Sequence, residues 1–501
     1  MPLNRSLAPL LLCVGLSLVT VSWMFGTPPG SGPDEPAHYI RALSVGRFQW
    51  LGRPTEQTVM RAENGLQLQF LHSITRVVQT PPRLAAPSSW YCTVVDHEVS
   101  AACLDRASQY NRPSEQVSYV GAYGPFAYLL PGLAARLGRD PTSALLWARA
   151  VDAALSLALI AWAVWLVWVP QAPSSLLGLV VVTTPMVLFT SAVLSTSSAE
   201  VSGSLCASAA AIRLWRDPRS RGGLWAAASG AILVGISRPL GAVWVLFEVL
   251  VLIILLRPSG VGRILVARPR LICALALLVA AAVWINLLWL VMFLPPGRRP
   301  IGQVLAFVGP SVGSLPVAIG EAIGYFGWQD IRMPWPAYAA WALCFVMLIS
   351  AALMLGRRRE IRALETALAL ASLSVIGIAA AAVMPTGYTI RGRYILPALF
   401  PLGLIAGEVL YRNSGRLVAV AKGSIASAVS CLAATLALVG WFTAAHRYAV
   451  GTSGTWLFLG VAQWQPPLGW LTWLIVAILG AVCIGASGFA DRRPTTYLPT
   501  T

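Results

Sequence analysis

The chain has 501 residues, of which 57% are hydrophobic and 11% are charged. Soluble domains carry about 25% charged residues, so this composition excludes a soluble globular protein and indicates an integral membrane protein. The net charge of +17 does not indicate a nucleic-acid-binding protein. The basic residues cluster between apolar runs, as the positive-inside rule predicts, and form no continuous basic domain.

Apolar runs of about 20 residues, the length that a helix needs to cross ~30 Å of hydrocarbon, recur along the chain. They predict an all-α polytopic membrane protein with about twelve transmembrane helices. The run at 223–237 is short and ends at Ser237-Arg238-Pro239, so a partial or re-entrant helix would also explain it. The predicted helices cover residues 7–26, 144–168, 174–191, 194–214, 223–237, 240–256, 271–294, 335–355, 363–384, 395–411, 424–444 and 468–488.

Basic clusters between these helices set the predicted orientation. With twelve crossings all of the clusters fall on one side, which places both termini in the cytoplasm. The first apolar run follows a single charge, Arg5, and lacks a small-residue cleavage site before Thr27, so we interpret it as an uncleaved helix rather than a signal peptide. The clusters lie at residues 213–221, 257–270, 357–362, 412–422 and around Arg492.

The extracytoplasmic segments of this single membrane domain of residues 1–501 are unequal, and only the first is predicted to be large enough to carry structure of its own. In the first of them, residues 36–45 predict an amphipathic helix lying along the membrane, and residues 123–137 predict a second interfacial stretch. The segments beyond the helices are the first extracytoplasmic loop at 27–143, the second at 295–334, and a cytoplasmic tail at 489–501.

The first loop opens with the sequence PDEPAHYIR at residues 33–41, which places Asp34, Glu35, His38 and Arg41 just past the first helix. A carboxylate at the mouth of an apolar cavity is partly desolvated, which raises its pKa and its strength as a base. Such a base could deprotonate a sugar hydroxyl. Alternatively, both acids are solvated loop residues or cap the following helix, with Asp34 at the N-cap before Pro36.

Arginines on the outside surface are a second candidate feature. Arg391 and Arg393 lie in a short outside loop, where the positive-inside rule disfavours them, and guanidinium groups bind phosphate oxygens bidentately. Snorkelling or contact with anionic lipids is the alternative interpretation. Arg238, between two apolar helices, either faces a cavity or belongs to an ordinary turn near the surface.

The positions of some polar residues in the chain favour a structural role for them. Arg149 and Asp152 are three residues apart on one predicted helix face and are expected to pair. Cys92 and Cys103 lie in the long polar loop and could form a disulfide if that loop faces an oxidising compartment; two free thiols are the alternative. The acids within apolar runs, interpreted as packing or pairing residues, are Asp152, Glu200, Glu248 and Glu408.

Four elements occur in a fixed order: a PDEPAH-type motif, Tyr-x-Pro-x-x-Tyr-x-x-Pro at residues 123–131, Gly-Trp-x-Asp at 327–330 and Gly-Arg-Tyr-x-x-Pro at 392–397. With them the chain resembles the bacterial membrane family called "domain of unknown function 2142". That family is similar in layout to the C-type, membrane-embedded glycosyltransferases. The resemblance covers nearly the whole chain and implies a bacterial plasma-membrane protein of that architecture.

The resemblance also implies roles for residues. C-type enzymes use polyprenyl-phosphate sugars and carry an essential acid in the first outside loop, a position that Asp34, with Glu35 beside it, matches. The superfamily often places lipid-phosphate contacts where Arg391 and Arg393 lie. An Asn-Pro-Asp-like element of the family is replaced here by residues 195–200 (STSSAE), so no role rests on that acid. The predicted lipid-phosphate or substrate contacts are His38, Arg41, Arg238, Arg391, Arg393 and Tyr394.

The resulting hypothesis is an inverting transferase that moves a sugar from a polyprenyl-phosphate donor to an extracytoplasmic glycan, lipid or protein, with Asp34 or Glu35 as base. A divalent cation is an option, because the two carboxylates could ligate one, although the sequence shows no closed ligand set. One alternative is a transporter or flippase of lipid-linked sugars. Another is a non-catalytic scaffold of an envelope-assembly complex.

Overall fold

A computed structural model of the chain describes residues 6–57, 60–107, 114–294, 301–416 and 419–491. The expected basic tail around Arg492, the start of the second outside loop at 295–300 and the side chain of Lys422 lie outside the described residues. Helices dominate the rest, as the composition predicts.

Ten helices lie in the first half of the chain. In chain order they are α1 (Leu7–Gly26), α2 (Glu35–Gly46), α3 (Gly65–Ile74), α4 (Cys92–Val95), α5 (Leu129–Ala135), α6 (Pro141–Val167), α7 (Leu177–Val182), α8 (Pro185–Ala192), α9 (Thr196–Arg216) and α10 (Arg221–Ser237). Nine more follow, which are α11 (Gly241–Ala267), α12 (Pro269–Phe293), α13 (Ile301–Ala306), α14 (Val308–Gly324), α15 (Trp335–Leu355), α16 (Arg358–Ile378), α17 (Gly392–Arg412), α18 (Ala419–Val450) and α19 (Gly469–Ser487).

Nine helices among the described residues are long and apolar enough to cross a membrane, or ten if the bent pair α7 and α8 forms one span. The chain is therefore an all-α polytopic membrane protein. Each of the twelve predicted segments contains helix, but α10 has 17 residues, α9 is rich in serine, and α7 and α8 meet at a bend of 68°. Twelve crossings remain a prediction.

The serine-rich helix α9 lies inside the bundle, where α6, α10 and α17 pack around it. Almost every residue from Thr196 to Leu214 is buried. Its hydroxyls find partners there: Ser202 donates to the carbonyl of Ser198 (2.7 Å), and Ser204 donates to the carboxylate of Glu248 (2.5 Å). A helix of low hydropathy is thus accommodated because its polar groups are satisfied by protein rather than exposed to lipid.

Helix α2 differs from its sequence prediction. It forms where expected, but all twelve of its residues are buried, so it is not an amphipathic helix lying along the membrane. Helix α5, from the second expected interfacial stretch, covers one side of it. A Cβ atom at Gly46 would lie 2.1 Å from the carbonyl oxygen of Gly132, so the two backbones touch and neither glycine accepts a side chain.

Short strands complete the outside segments. In the first loop, β1 (Arg53–Pro54), β2 (Arg76–Gln79) and β3 (Glu115–Ser118) form an antiparallel sheet in which Val77 pairs with both Arg53 and Val117. The second expected loop is largely structured, with α13, α14 and a hairpin of β4 (Tyr325–Phe326) and β5 (Ile331–Arg332). Helix α14 packs against α17 and α8, which brings this segment to the start of α17.

A buried ion pair joins the first loop to the bundle. The guanidinium of Arg149 on α6 donates to both carboxylate oxygens of Glu35, at 2.7 and 2.5 Å, and the side chains are 1% and 0% exposed. Glu35 also accepts hydrogen bonds from the backbone N–H groups of Gly30, Gly32 and Leu194. One carboxylate therefore connects α2, α6 and the turn between α8 and α9.

The same guanidinium closes the end of α1. Arg149 donates to the carbonyl oxygens of Thr27 (2.7 Å) and Met24 (2.9 Å), which the end of the helix would otherwise leave unpaired. The expected pairing of Arg149 with Asp152 is therefore wrong. Asp152 instead accepts from the hydroxyl of Ser198 (2.7 Å), because Glu35 reaches Arg149 from outside the helix.

We expect Arg149→Met to lower the free energy of unfolding by about 3–5 kcal/mol, because it leaves the Glu35 carboxylate buried without a counter-charge. Thermal unfolding of the detergent-solubilised protein measures this loss. The matched control is Arg53→Gln, which breaks an ion pair with Glu115 that is 72% and 45% exposed and should cost less than about 1 kcal/mol. Equal effects of the two changes would contradict the assignment.

Candidate functional site

Asp34 does not cap helix α2. Its side chain makes no capping hydrogen bond, and its backbone has the left-handed conformation, with φ of 60° and ψ of 12°. A residue other than glycine adopts this conformation at a cost of about 1–3 kcal/mol, so surrounding contacts must hold it there. The consequence is that two neighbouring carboxylates diverge. Glu35 enters the buried ion pair, whereas Asp34 faces α17.

Asp34 lies against the first turn of α17. Its Oδ2 accepts a hydrogen bond of 2.7 Å from Nη2 of Arg393, and its Oδ1 accepts one of 3.1 Å from the hydroxyl of Tyr119. The side chain of Arg393 is 9% exposed and that of Asp34 is 29% exposed. The acid is therefore the member of the pair that reaches solvent.

Two nitrogens of Arg393, Nε and Nη1, are buried and have no hydrogen-bond partner among the described residues. A guanidinium group normally uses its five N–H donors, and leaving buried donors unpaired costs free energy. Arg393 is thus held on one side by Asp34 and is unsatisfied on the other. An anion with several oxygen acceptors is the natural complement of such a fork.

Arg238 joins the same group through Tyr394. The guanidinium carbon of Arg238 lies 4.1 Å from the centre of the Tyr394 ring, and that of Arg393 lies 5.3 Å from it, so both cations contact one aromatic ring. Arg238 also donates to Ser197 (2.9 Å) and Glu200 (3.3 Å) on α9. We call Asp34, Arg393, Tyr394 and Arg238 the acid–arginine cluster.

Other predicted contact residues take structural roles. Arg391 pairs with Glu321 of α14 at 3.2 Å, and the second oxygen of that carboxylate accepts the N–H of Gly392 at 2.7 Å. Glu321 therefore fixes the start of α17. Arg41 is buried in α2 and donates to the carbonyl oxygens of Trp50 and Tyr123, and its Nε and Nη1 have no hydrogen-bond partner among the described residues.

His38 lies one helical turn after Asp34, with Nδ1 2.7 Å from the hydroxyl of Tyr128. Burial lowers the pKa of His38 to about 3; the Asp34 carboxylate opposes this, and the charges of Arg393 and Arg238 add to it. His38 is therefore neutral at physiological pH. It is a hydrogen-bonded core residue rather than a charged phosphate ligand.

The pKa of Asp34 also differs from what the sequence predicts. Burial by itself would raise the pKa of its carboxyl, but the charge and hydrogen bond of Arg393, together with His38 and the hydrogen bond from Tyr119, outweigh burial, and the pKa lies below its ordinary value. Asp34 is thus a stable anion in this structure and a weaker base than a simply desolvated acid. The positive charge beside it must be neutralised before it takes up a proton readily.

A metal centre finds little support in the geometry. No three His, Cys, Asp or Glu side chains within the described ranges are placed to hold an ion. Asp34 and Glu35, the two acids that could have shared a cation, have separate partners, since Glu35 is fully occupied by Arg149 and backbone N–H groups.

The first loop is held by a disulfide between Cys92 and Cys103, with sulfur atoms 2.00 Å apart. The segment that it closes docks on the C-terminal end of α18 and the loop after it: Arg447 donates to the carbonyl of Val99, and Ser100 donates to Gln463 at 2.6 Å. The residues before Cys92 are thereby fixed near the start of the PDEPAH motif.

Several residues of the site could not be predicted from the sequence. Tyr119, the second partner of Asp34, carries no signal in the sequence, and Glu321 lies in a segment expected to be a loop. The Gly-Trp-x-Asp element gave a weak signal, and the indole N–H of Trp328 donates to the carbonyl of Gly30 at 3.0 Å. This contact joins the second outside segment to the loop that carries Asp34.

Fold and site together define a polytopic helical membrane protein with a buried acid–arginine cluster beside its first loop. The family model described as "Predicted membrane protein (DUF2142)" matches residues 16–401, and the chain belongs to this family. The matched region contains the whole cluster. Neither the curated proteins nor the solved structures yield a match.

The lowered pKa of His38 predicts a pH-dependent stability. The unfolded chain takes up a proton at His38 below about pH 6.5, whereas the folded protein does so only near pH 3, so stability should fall as the pH drops from 7 to 5, by up to ~1.4 kcal/mol per unit from this residue. Melting temperatures of the wild type and His38→Gln measure the slope. His38→Gln should flatten it. An unchanged slope in His38→Gln would refute this assignment.

Proposed function

We propose that this protein is a membrane glycosyltransferase that moves a sugar from a polyprenyl-phosphate donor to an extracytoplasmic cell-envelope acceptor. The proposal includes a C-type-like architecture of about twelve spans in the bacterial plasma membrane, with both termini cytoplasmic and the acid–arginine cluster near the outer rim. Asp34 is the base, whereas Glu35 is a structural residue because Arg149 occupies both of its oxygens.

The observation that carries the proposal is the convergence of Asp34, Arg393 and Arg238, which lie far apart in the sequence, on Tyr394 and its surroundings. Buried charges are costly, and within membrane proteins they usually mark a functional site. Arg393 offers two buried, unpaired nitrogens beside an acid that reaches solvent. A phosphate group would satisfy these donors, and the acid next to it is where a transferase needs its base.

The mechanism begins with donor binding. The lipid phosphate accepts hydrogen bonds from Nε and Nη1 of Arg393, and the positive charge of Arg238 lies nearby, against the ring of Tyr394. The phosphate anion neutralises the charge that keeps the pKa of Asp34 low, so donor binding makes Asp34 a stronger base. Proton transfer from an acceptor is therefore favoured only after the donor has bound.

In the transfer step, Asp34 takes the proton of an acceptor hydroxyl while that oxygen attacks the anomeric carbon of the donor sugar. The bond between this carbon and the phosphate oxygen breaks, and the polyprenyl phosphate leaves with the electron pair, stabilised by the two arginines. Attack opposite the leaving group inverts the anomeric configuration. The proton leaves through the exposed side of Asp34, and the phosphate needs no acid catalyst because it departs as an anion.

Asp34→Asn is expected to separate transfer from donor binding. Loss of the base should reduce sugar transfer about 10²–10⁴-fold, whereas binding of the donor should be unchanged or tighter, because the carboxylate that competes with phosphate is gone. Transfer and equilibrium binding are measured with a panel of radiolabelled polyprenyl-phosphate monosaccharides on reconstituted protein. Glu115→Gln, on an exposed carboxylate of the same loop, is the control and should retain both. Full transfer by Asp34→Asn would refute the proposal.

Arg393→Gln is expected to show the opposite pattern, with donor binding weakened at least tenfold because the phosphate loses its charged fork. Arg393→Lys should restore only part of the affinity, since an ammonium group cannot bind bidentately. The same binding assay measures both variants. Arg391→Gln is the matched control, because that arginine is paired with Glu321. Equal losses in Arg391→Gln and Arg393→Gln would contradict a specific role for Arg393.

Transport of lipid-linked sugars is the second candidate, and the 68° bend between α7 and α8 favours it, since broken helices are common in transporters. Movement of a fluorescent polyprenyl-phosphate sugar across vesicles, without acceptor, separates the two functions. Movement that persists in Asp34→Asn would favour transport. No movement in the wild type, together with acceptor-dependent transfer, would favour the enzyme.

A further inference from the structure

The two carboxylate oxygens of Asp34 have different surroundings. Its Oδ2 faces Arg393, and this buried side carries the cations of the cluster. Its Oδ1 faces the hydroxyl of Tyr119, and this side is formed by aromatic residues of the two outside segments. The cationic side suits an anionic donor, so the aromatic side is where a second substrate would approach the acid.

Tyr91, the residue before Cys92, belongs to the aromatic side because the segment around the disulfide packs against the loop before Asp34. Gly30 has a φ of 79°, and a Cβ atom there would lie 2.6 Å from Cβ of Trp90, so only glycine permits this close approach. The hydroxyl oxygens of Ser31 and Thr93 lie 3.4 Å apart. Tyr91 is thus held between two residues that touch the Asp34 loop.

Trp328 is the second residue of this aromatic side. Its indole N–H donates to the carbonyl of Gly30, its ring centre lies 6.2 Å from that of Tyr91, and it packs against the apolar cluster that contains Tyr119. Both Tyr91 and Trp328 are only partly buried. Two partly exposed aromatic rings therefore lie next to an acid that is itself partly exposed.

The hydroxyl of Tyr91 is buried and has no hydrogen-bond partner among the described residues. Burial raises the pKa of Tyr91, and the Asp34 carboxylate raises it further, so the group remains a neutral phenol that can donate and accept. An unpaired buried hydroxyl beside aromatic rings is the arrangement by which pockets orient a ligand that has both apolar and hydroxyl-bearing faces.

We infer that Tyr91, Trp328 and Tyr119 form the acceptor subsite, and that the acceptor is a neutral carbohydrate ring. This inference rests on the proposed function and specifies its second substrate. A pyranose or furanose ring presents C–H faces to Trp328 and Tyr91, one hydroxyl to the Tyr91 phenol and another to Asp34. A lipid chain would leave the phenol and the acid unpaired, and a serine or threonine side chain lacks a ring face to lie against the indole.

Binding of neutral oligosaccharides in the absence of any polyprenyl donor tests the inference. The probes are gluco-, galacto-, manno- and arabino-oligosaccharides of two to four residues, added to the full-length protein in phosphatidylglycerol nanodiscs free of sugar detergents. Saturation-transfer difference NMR reports contacts of ring C–H groups, and tryptophan fluorescence gives the dissociation constants. We expect at least one series to bind the wild type.

Tyr91→Phe removes only the hydroxyl and should weaken that binding about five- to tenfold, as the loss of one hydrogen bond does. Trp328→Leu should abolish the ring contacts. Trp456→Leu, at an indole that is 58% exposed in the last outside loop, is the matched control and should bind as the wild type does. The melting temperature checks folding, and Tyr91→Phe alone decides the matter if Trp328→Leu does not fold.

Absence of binding in the wild type, unchanged affinity in Tyr91→Phe, or equal losses in Trp456→Leu would overturn the inference. These outcomes differ from failure of the proposed function. If Asp34→Asn abolishes transfer but neutral oligosaccharides do not bind, only the acceptor assignment fails. If oligosaccharides bind through Tyr91 but transfer survives in Asp34→Asn, the carbohydrate subsite stands and the assignment of the base fails.

Discussion

The ion pair between Glu35 and Arg149 is the constraint on which the rest of the structure depends. It is almost completely buried, so each charge would be very costly without the other, and backbone N–H and carbonyl groups of residues 24–32 and of Leu194 complete the pair. It sets the position of α2 against α1 and α6. Asp34, the next residue toward the N-terminus, is thereby directed toward α17.

Backbone conformation then separates two carboxylates that the sequence presents as equivalent. The left-handed φ at Asp34 turns its side chain away from the ion pair and toward Arg393, where the neighbouring cation keeps it ionised. Glu35 is therefore a buried structural residue, whereas Asp34 is reachable from solvent and sensitive to what binds Arg393. Two adjacent acids can therefore have different roles, because burial and neighbouring charges, rather than residue type, determine the chemistry of a carboxylate.

Donor and acceptor chemistry meet at Asp34 under the proposed function. The side lined by Arg393 and Arg238 favours an anion, while the side lined by Tyr119 and the partly exposed aromatic rings favours a neutral ligand. The donor's phosphate relieves the charge that depresses the pKa of the acid, so the two substrates are coupled through electrostatics. A weak base in the free protein therefore becomes effective only in the donor complex.

Hydropathy alone determined the all-α membrane architecture and the presence of helix in each of the twelve apolar runs, because long apolar runs in a bilayer leave the backbone few alternatives to helix. It did not predict α14, which lies in a segment expected to be a loop. Motif position predicted Asp34 and Arg393 as candidate site residues, and the structure brings their side chains into contact. Only the tertiary structure decided that Glu35 pairs with Arg149, that Arg391 binds Glu321, and that α2 is buried rather than interfacial. These outcomes depend on contacts between distant segments and on one left-handed residue, and local sequence patterns carry no information about either.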